Sequence, residues 1–262
     1  MRNADTRYFY ELLDELEHRL GGPRRLRECT ADSGWPLNGV YFFFEEGEHR
    51  RAGQGRRVVR VGTHAIKKTT PSRESLWNRL EDHRGRQNDE VGPRHSHSIF
   101  RKHIGGAIII RDKMGGPEVL DNWYHFRRQP LADSIELKVS LHIGVMLFLW
   151  LDVPKREKRE QIEIGAIALL SLLTGDADPP SPGWLGLHAR PLQIRQSGLW
   201  NVHHTSRSYN ARFLDLMRTQ VLEVCATPPG TMSRDTKATS GHLVQQPSAA
   251  ARTHPSDRTR PL

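Results

Sequence analysis

Near the start of the chain, apolar residues recur at helical spacing. Phe9, Leu12, Leu13, Leu16 and Leu20 fall at i, i+3, i+4, i+7 and i+11, with charged residues between them. That is the stripe of an amphipathic helix. Asp5 or Thr6 can cap it, and Gly21-Gly22-Pro23 stops it. The period then shortens to two. After the turn Trp35-Pro36-Leu37-Asn38-Gly39, the run Val40-Tyr41-Phe42-Phe43-Phe44 puts Phe42 and Phe44 on one face and Tyr41 and Phe43 on the other. Aromatics on both faces predict a strand covered on both sides. Glu45 to Arg56 is charged and glycine-bearing, a long hairpin loop or a pair of extended strand ends. Arg57 to Thr63 alternates again, with Val59 and Val61 on one face and Val58, Arg60 and Gly62 on the other.

Beyond the hairpin the helical period returns. Leu76, Leu80 and His83 form a stripe that begins after Ser72 or Ser75, is flanked by Trp77 and ends at Gly85. Arg79 and His83 project from nearly the same face. Arg86 to His97 is a polar loop. Ser98 caps a short helix through Ile104, which Gly105 to Ile110 can extend. Gly115 to Pro130 is an insertion loop with an aromatic patch of Trp123, Tyr124 and Phe126, and Ser134 to His142 forms a short helix. Val145 to Val153 has strand composition. Pro154 to Leu173 is a helix with Ile162, Ala166, Leu169, Leu170 and Leu173 buried and Pro154 in its first turn. A final helix carries Phe213, Leu214, Met217, Val221, Leu222 and Val224. From Ala226 the chain is Thr, Pro, Ser, Gly, Ala and Arg with almost no large apolar residues, too polar to offset its ordering entropy.

Composition adds a partner. The 262 residues carry a formal charge of +9 and a pI near 9.9, which favours a polyanion over a neutral ligand. A hydrophobic fraction of 36% is low for a compact domain, and the polar tail accounts for much of that. Cys29 and Cys225 form no metal-spaced cluster and are expected as free thiols in a reducing cytosol. The start of the chain shows no signal-peptide pattern. The longest apolar run, Ile143 to Leu151, is too short to span a bilayer. A cytoplasmic protein with no membrane partner is expected.

Each polar residue in the hairpin and its helix has an ordinary structural explanation on its own. In order, however, Gly39-Val40-Tyr41, Arg60-Val61-Gly62 and Arg79-x-x-x-His83, then Glu163 within Ile162-Glu163-Ile164-Gly165 and Asn201 within Leu199-Trp200-Asn201-Val202, resemble the GIY-YIG nuclease domain. The likeness is greatest to a stand-alone bacterial branch, on Phe42-Phe43-Phe44-Glu45, Val61-Gly62-Thr63-His64 and Ser98-Ile99-Phe100-Arg101. The resemblance implies an α/β fold with a small central mixed sheet flanked by helices, plus extra N- and C-terminal helices. It implies an N-terminal helical extension over 1–36, the nuclease domain over 37–225 and a disordered tail over 226–262.

It also implies roles. Glu163 would hold one divalent cation, Mg²⁺ or Mn²⁺, since a lone carboxylate with waters suits an ion that keeps its hydration. Arg79 would neutralise phosphoryl charge with its planar fork of donors. Tyr41 would be the general base, a phenol needing a nearby cation because its ordinary pKa is near 10. His83 would orient Tyr41 or share the proton, and Asn201 would position backbone or substrate. Arg60 stands where the family has its second tyrosine and cannot act as a base. With His64, Ser98 and Arg101 it is expected at the substrate. Lys155, Arg156, Lys158 and Arg159 oppose the dipole at the start of the Glu163 helix, which a crossing phosphate backbone would explain; Lys155 and Arg159 are therefore expected substrate contacts. His95, His97 and His103 have no cysteine nearby, which favours polar loop contacts over zinc. The expected function is metal-dependent hydrolysis of phosphodiester bonds in DNA. The alternative is a catalytically degenerate nucleic-acid-binding protein on the same scaffold.

Overall fold

In the computed structural model, the described residues are 2–51, 55–64, 75–85 and 94–224. The expectations for Ser72, Cys225, the start of the polar loop and the tail lie outside them. Helix α1 (Arg2–Leu20) leads to a short strand β1 (Arg24–Arg25) and a 3₁₀ turn (Leu26–Glu28). The hairpin follows as β2 (Gly39–His49) and β3 (Arg56–Thr63), then α2 (Leu76–Arg84), α3 (Ile99–Arg111), α4 (Pro117–Tyr124) and α5 (Ala132–Gly144). Strand β4 (Leu147–Asp152) precedes α6 (Arg156–Leu170), α7 (Leu192–Ser197) and α8 (Arg212–Glu223).

The sheet has the order β1-β4-β2-β3. Its three pairings are all antiparallel, so the α/β layering holds but the sheet is not mixed. Each face carries its own core. Val40, Phe42 and Phe44 pack with Phe9, Leu13, Ile162, Phe213 and Met217 from α1, α6 and α8. Tyr41 and Phe43 pack on the other side with Leu80, Phe100, Ile104 and Val139 from α2, α3 and α5. The central strand is covered twice because its sequence alternates between two apolar faces. Helix α1 is integral to one of these cores.

Several boundaries move for local reasons. Helix α1 starts at Arg2, so Asp5 sits within its first turn and its carboxylate accepts the Tyr209 hydroxyl at 2.7 Å. Pro154 precedes the Lys155 N-cap of α6 and is not in its first turn. Leu173 and Leu222 are exposed. Part of the expected insertion loop is helix α4, opened by Pro117. Val59 does not share a face with Val61. Phe43 pairs with Arg60 but Phe44 pairs with Val58, so the ladder bulges at Val59 and the side-chain alternation shifts phase there. Val59 joins the Tyr41 side, while Val58 and Val61 face the other core.

Candidate active site

Two glycines set the hairpin geometry. A Cβ on Gly39 would lie 2.7 Å from the Leu151 carbonyl oxygen, so only glycine lets β2 lie this close to β4. Tyr41 pairs with Gly62 across the hairpin. Its phenol occupies the space that a Gly62 side chain would take. The tyrosine is therefore laid across its partner strand, with its hydroxyl directed toward α2.

There it meets His83. The Tyr41 oxygen is 2.7 Å from His83 Nε2, and His83 Nδ1 is 2.7 Å from Ser98 Oγ. Ser98 also caps α3, accepting the backbone N–H of Arg101 at 3.2 Å. Its own hydrogen has one acceptor among the described residues, His83 Nδ1. A buried hydroxyl hydrogen goes where it is accepted. The Tyr41 hydroxyl likewise has His83 Nε2 as its hydrogen-bond partner, so the neutral ring bridges the two hydroxyls, donating to one and accepting from the other. Burial, with the Arg79, Arg60 and Arg101 guanidiniums around the ring, holds His83 well below its ordinary pKa and thus neutral.

Arg60 reaches the same phenol from β3. Its guanidinium lies near enough to Tyr41 for the two to interact electrostatically, donates to the Trp200 carbonyl at 2.9 Å and lies 4.6 Å from the Phe100 ring centroid. Burial and Arg79 lower its pKa while Tyr41 raises it. The Tyr41 hydroxyl thus sits between His83 Nε2 and the Arg60 side chain. Arg79 donates to the His97 carbonyl at 3.1 Å and lies 3.6 Å from Asp82.

Helix α6 packs against β3 and brings Glu163 within the fields of Arg60 and Arg79. Burial pushes its carboxyl up to about 7, against the pull of both arginines and with some help from Glu160. A carboxylate short of positive charge fits a hard cation. The described residues hold no group of three or more His, Cys, Asp and Glu side chains around one point. A one-carboxylate site suits Mg²⁺, which keeps several waters. Asn201 serves the edge of β3: its Oδ1 accepts Val61 N–H at 3.1 Å and its Nδ2 donates to the Val61 carbonyl at 2.8 Å. Trp200 N–H adds a 2.7 Å bond to the Val59 carbonyl. Both polar ends of Asn201 are used on backbone, which leaves it a positioning rather than a substrate-facing geometry.

Tyr41, Arg60, Arg79, His83, Glu163 and Asn201 thus meet at one end of β3. A family model described as GIY-YIG domain matches residues 1–227. The chain belongs to the GIY-YIG domain family. Neither a comparison with curated proteins nor one with solved structures gives a match. The α/β architecture with its flanking helices is that of a GIY-YIG domain, and membership implies nuclease-type chemistry on nucleic acid.

Not every residue expected at the substrate is placed to touch one. Arg101 is fully buried. It donates to Glu136 Oε2 at 2.6 Å, Ser140 Oγ at 2.9 Å and the His83 carbonyl at 3.1 Å. It fastens α3 to α2 and α5, and Gly85 lacks a side chain where its guanidinium passes. Ser98 is equally buried and acts through His83. Arg159 is buried and donates to the Val153 and Pro154 carbonyls at 2.8 and 2.7 Å, turning away from solvent. Lys155 is exposed, and His64 follows β3 half-buried. His95 is held by Glu136 at 2.7 Å and stacks on Trp123 at 3.6 Å.

Sequence reasoning missed the buried acids. Glu136 grips Arg101 and His95, and burial is outweighed by these partners, leaving its pKa low. Glu45 accepts both Trp184 and Trp200 indole N–H groups at 3.0 Å. Their only sequence signal is an acid among apolar neighbours. No helix among the described residues is long and apolar enough to cross a membrane.

Proposed function

We propose that this protein is a divalent-metal-dependent endonuclease that hydrolyses phosphodiester bonds in DNA. The observation that carries this reading is the Tyr41 oxygen, flanked by His83 Nε2 at 2.7 Å and by the Arg60 guanidinium, with Arg79 and Glu163 close by. Tyr41, as phenolate, takes a proton from the attacking water. The water oxygen bonds to phosphorus as the bond to the leaving oxygen breaks. Arg79 neutralises the non-bridging oxygens, the electrostatic role that usually dominates such reactions. Arg60 and His83 stabilise the phenolate before the proton arrives. Glu163 is the residue that would hold Mg²⁺ or Mn²⁺, whose charge would stabilise the phosphoryl and leaving oxygens. Asn201 keeps β3, and with it Arg60, in register.

The replacement of the family's second tyrosine by Arg60 favours one rival, a nucleic-acid-binding module without catalysis. Incubation with plasmid and branched DNA, with and without Mg²⁺, separates the two. The nuclease reading expects Mg²⁺-dependent nicking by the wild type and none by Glu163→Ala. Equal nicking by both overturns it.

A further inference from the structure

Next to the catalytic cluster, Lys102 of α3 and Arg190, just before α7, meet the Tyr124 ring at the end of α4. Lys102 Nζ lies 5.3 Å from the Tyr124 ring centroid and 4.5 Å from that of Phe126. Arg190 Cζ lies 4.8 Å from the same Tyr124 ring. Neither Lys102 nor Arg190 has a carboxylate within ion-pair distance among the described residues. The acids of α4 are engaged elsewhere: Asp121 pairs with His125 and Arg127 at 3.1 Å, and Glu118 lies over Gly116. Burial and the neighbouring Arg190 charge lower the Lys102 pKa. Arg190 is exposed and Lys102 half-buried, so an incoming anion can reach both.

His103 adjoins this group through Tyr124. It is only 5% exposed, yet its Nε2 has no hydrogen-bond partner, and its Nδ1 makes a long 3.5 Å contact to the Tyr124 hydroxyl. The charges acting on it, from Arg60, Lys102 and His203, are all positive. Arg60 therefore links this group to the catalytic cluster. Phe126, meanwhile, is 50% exposed and held at φ 55°. A bulky residue there is strained by about 1 kcal/mol or more, and this strain keeps an aromatic ring in solvent beside Lys102. The platform is fixed beneath. Trp123 Nε1 donates to the Lys102 carbonyl at 2.8 Å, and Gly105 and Gly106 leave the space that the Trp123 and Tyr124 rings fill.

We propose that Lys102 and Arg190, with the Tyr124 and Phe126 rings, bind the nucleic-acid strand that flanks the scissile phosphate. A backbone phosphate lies between Lys102 and Arg190, and an unpaired base stacks on Phe126. Cations interleaved with aromatic faces are the recurring pattern for single-stranded segments. The assignment rests on the nucleic-acid reading of the catalytic cluster, but it does not require that cluster to be active.

The test is equilibrium binding of labelled single-stranded and duplex oligonucleotides in EDTA, at several salt concentrations. Lys102→Gln/Arg190→Gln is compared with Arg212→Gln/Arg218→Gln on α8, which removes the same charge. Losing the one phosphate contact that the two cations share should weaken binding roughly tenfold at ~0.1 M salt and reduce the log–log salt slope by about 0.7 to 0.9. The Lys102/Arg190 variant is expected to show both effects, and the α8 variant neither. Phe126→Ala should weaken single-strand binding by about tenfold with the slope unchanged. Equal weakening in the two double variants, or a wild type that binds neither oligonucleotide at low salt, overturns the inference. Wild type that binds in this pattern but cleaves nothing with Mg²⁺ overturns the nuclease reading alone.

Discussion

The phenol oxygen of Tyr41 and Nε2 of His83 are joined by a buried 2.7 Å hydrogen bond. His83 is thus placed to orient the phenol. Tyr41→Phe removes the proton acceptor while keeping the ring that covers Gly62. Cleavage should fall by roughly 10² to 10⁴, the usual contribution of a positioned base. Binding of DNA should change little. Retention of wild-type cleavage by this variant would remove Tyr41 from the mechanism.

Ser98 holds the other nitrogen of the same ring, Nδ1, at 2.7 Å. Ser98→Ala should cost about 1 kcal/mol of stability through the lost helix cap, and it frees His83 to exchange tautomers. The distinguishing readout is the ¹⁵N signature of the His83 ring. Wild type and Ser98→Thr should show one and the same ring tautomer, whereas Ser98→Ala should show a mixture and a cleavage rate several-fold lower. An unchanged ring signature in Ser98→Ala would make Ser98 a cap and nothing more.

Gly62→Ala puts a methyl group where the Tyr41 phenol lies. Overpacking of this kind costs typically about 1–3 kcal/mol. Displacement of the phenol should also break its bond to His83. Thermal unfolding and cleavage should fall together, whereas Gly183→Ala, where a Cβ meets nothing within 4 Å, should affect neither.

Much of this arrangement was legible in the sequence because it follows period. The two-sided strand was visible in Val40 to Phe44, and the Arg79–His83 pairing in a spacing of four. The bulge at Val59 was not, because a single extra residue leaves every neighbouring letter unchanged while shifting the phase. Arg101 and Arg159 read as phosphate contacts because a basic residue looks the same in sequence whether it faces solvent or a buried carbonyl. What settles their direction is Glu136 for one and the Val153 and Pro154 carbonyls for the other. The convergence of Glu163 on Arg60 and Arg79 depends on α6 packing at β3, a long-range contact that no local pattern encodes.

Acid should weaken the fold partly through His103. Burial first, then Arg60, Lys102 and His203, push it from 6.5 to about 3. The folded protein keeps this ring neutral while the unfolded chain protonates below 6.5. Its contribution to stability is therefore complete above that value and is lost as pH falls toward 3. The loss is about 1.4 kcal/mol per pH unit at most. Glu163 acts in the opposite sense: its raised pKa lets the folded state take up a proton first, between about 7 and 4.5. Urea unfolding at pH 7 and pH 5 should show a smaller loss in His103→Asn than in wild type, by about 2 kcal/mol. Identical losses would show that His103 titrates normally in the folded protein.

Arg60 decides whether the departure from the family pattern preserves chemistry. Its guanidinium lies near Tyr41 and meets the Trp200 carbonyl and the Phe100 face. Removing it takes away the cation beside the base and leaves that carbonyl without its donor. Arg60→Ala should lower cleavage by roughly 10², and the rate should rise only at higher pH than in wild type, because the phenolate then lacks its counter-charge. Arg60→Lys keeps the charge without the planar fork and should recover part of the rate and most of the pH profile. Arg60→Tyr, which restores the family residue, supplies a hydroxyl but no charge, so its pH profile should follow that of Arg60→Ala. The measurement is kcat/KM against pH for the four proteins. Cleavage by Arg60→Ala equal to wild type across the whole range would make Arg60 incidental and return the search for the phenolate's cation to Arg79.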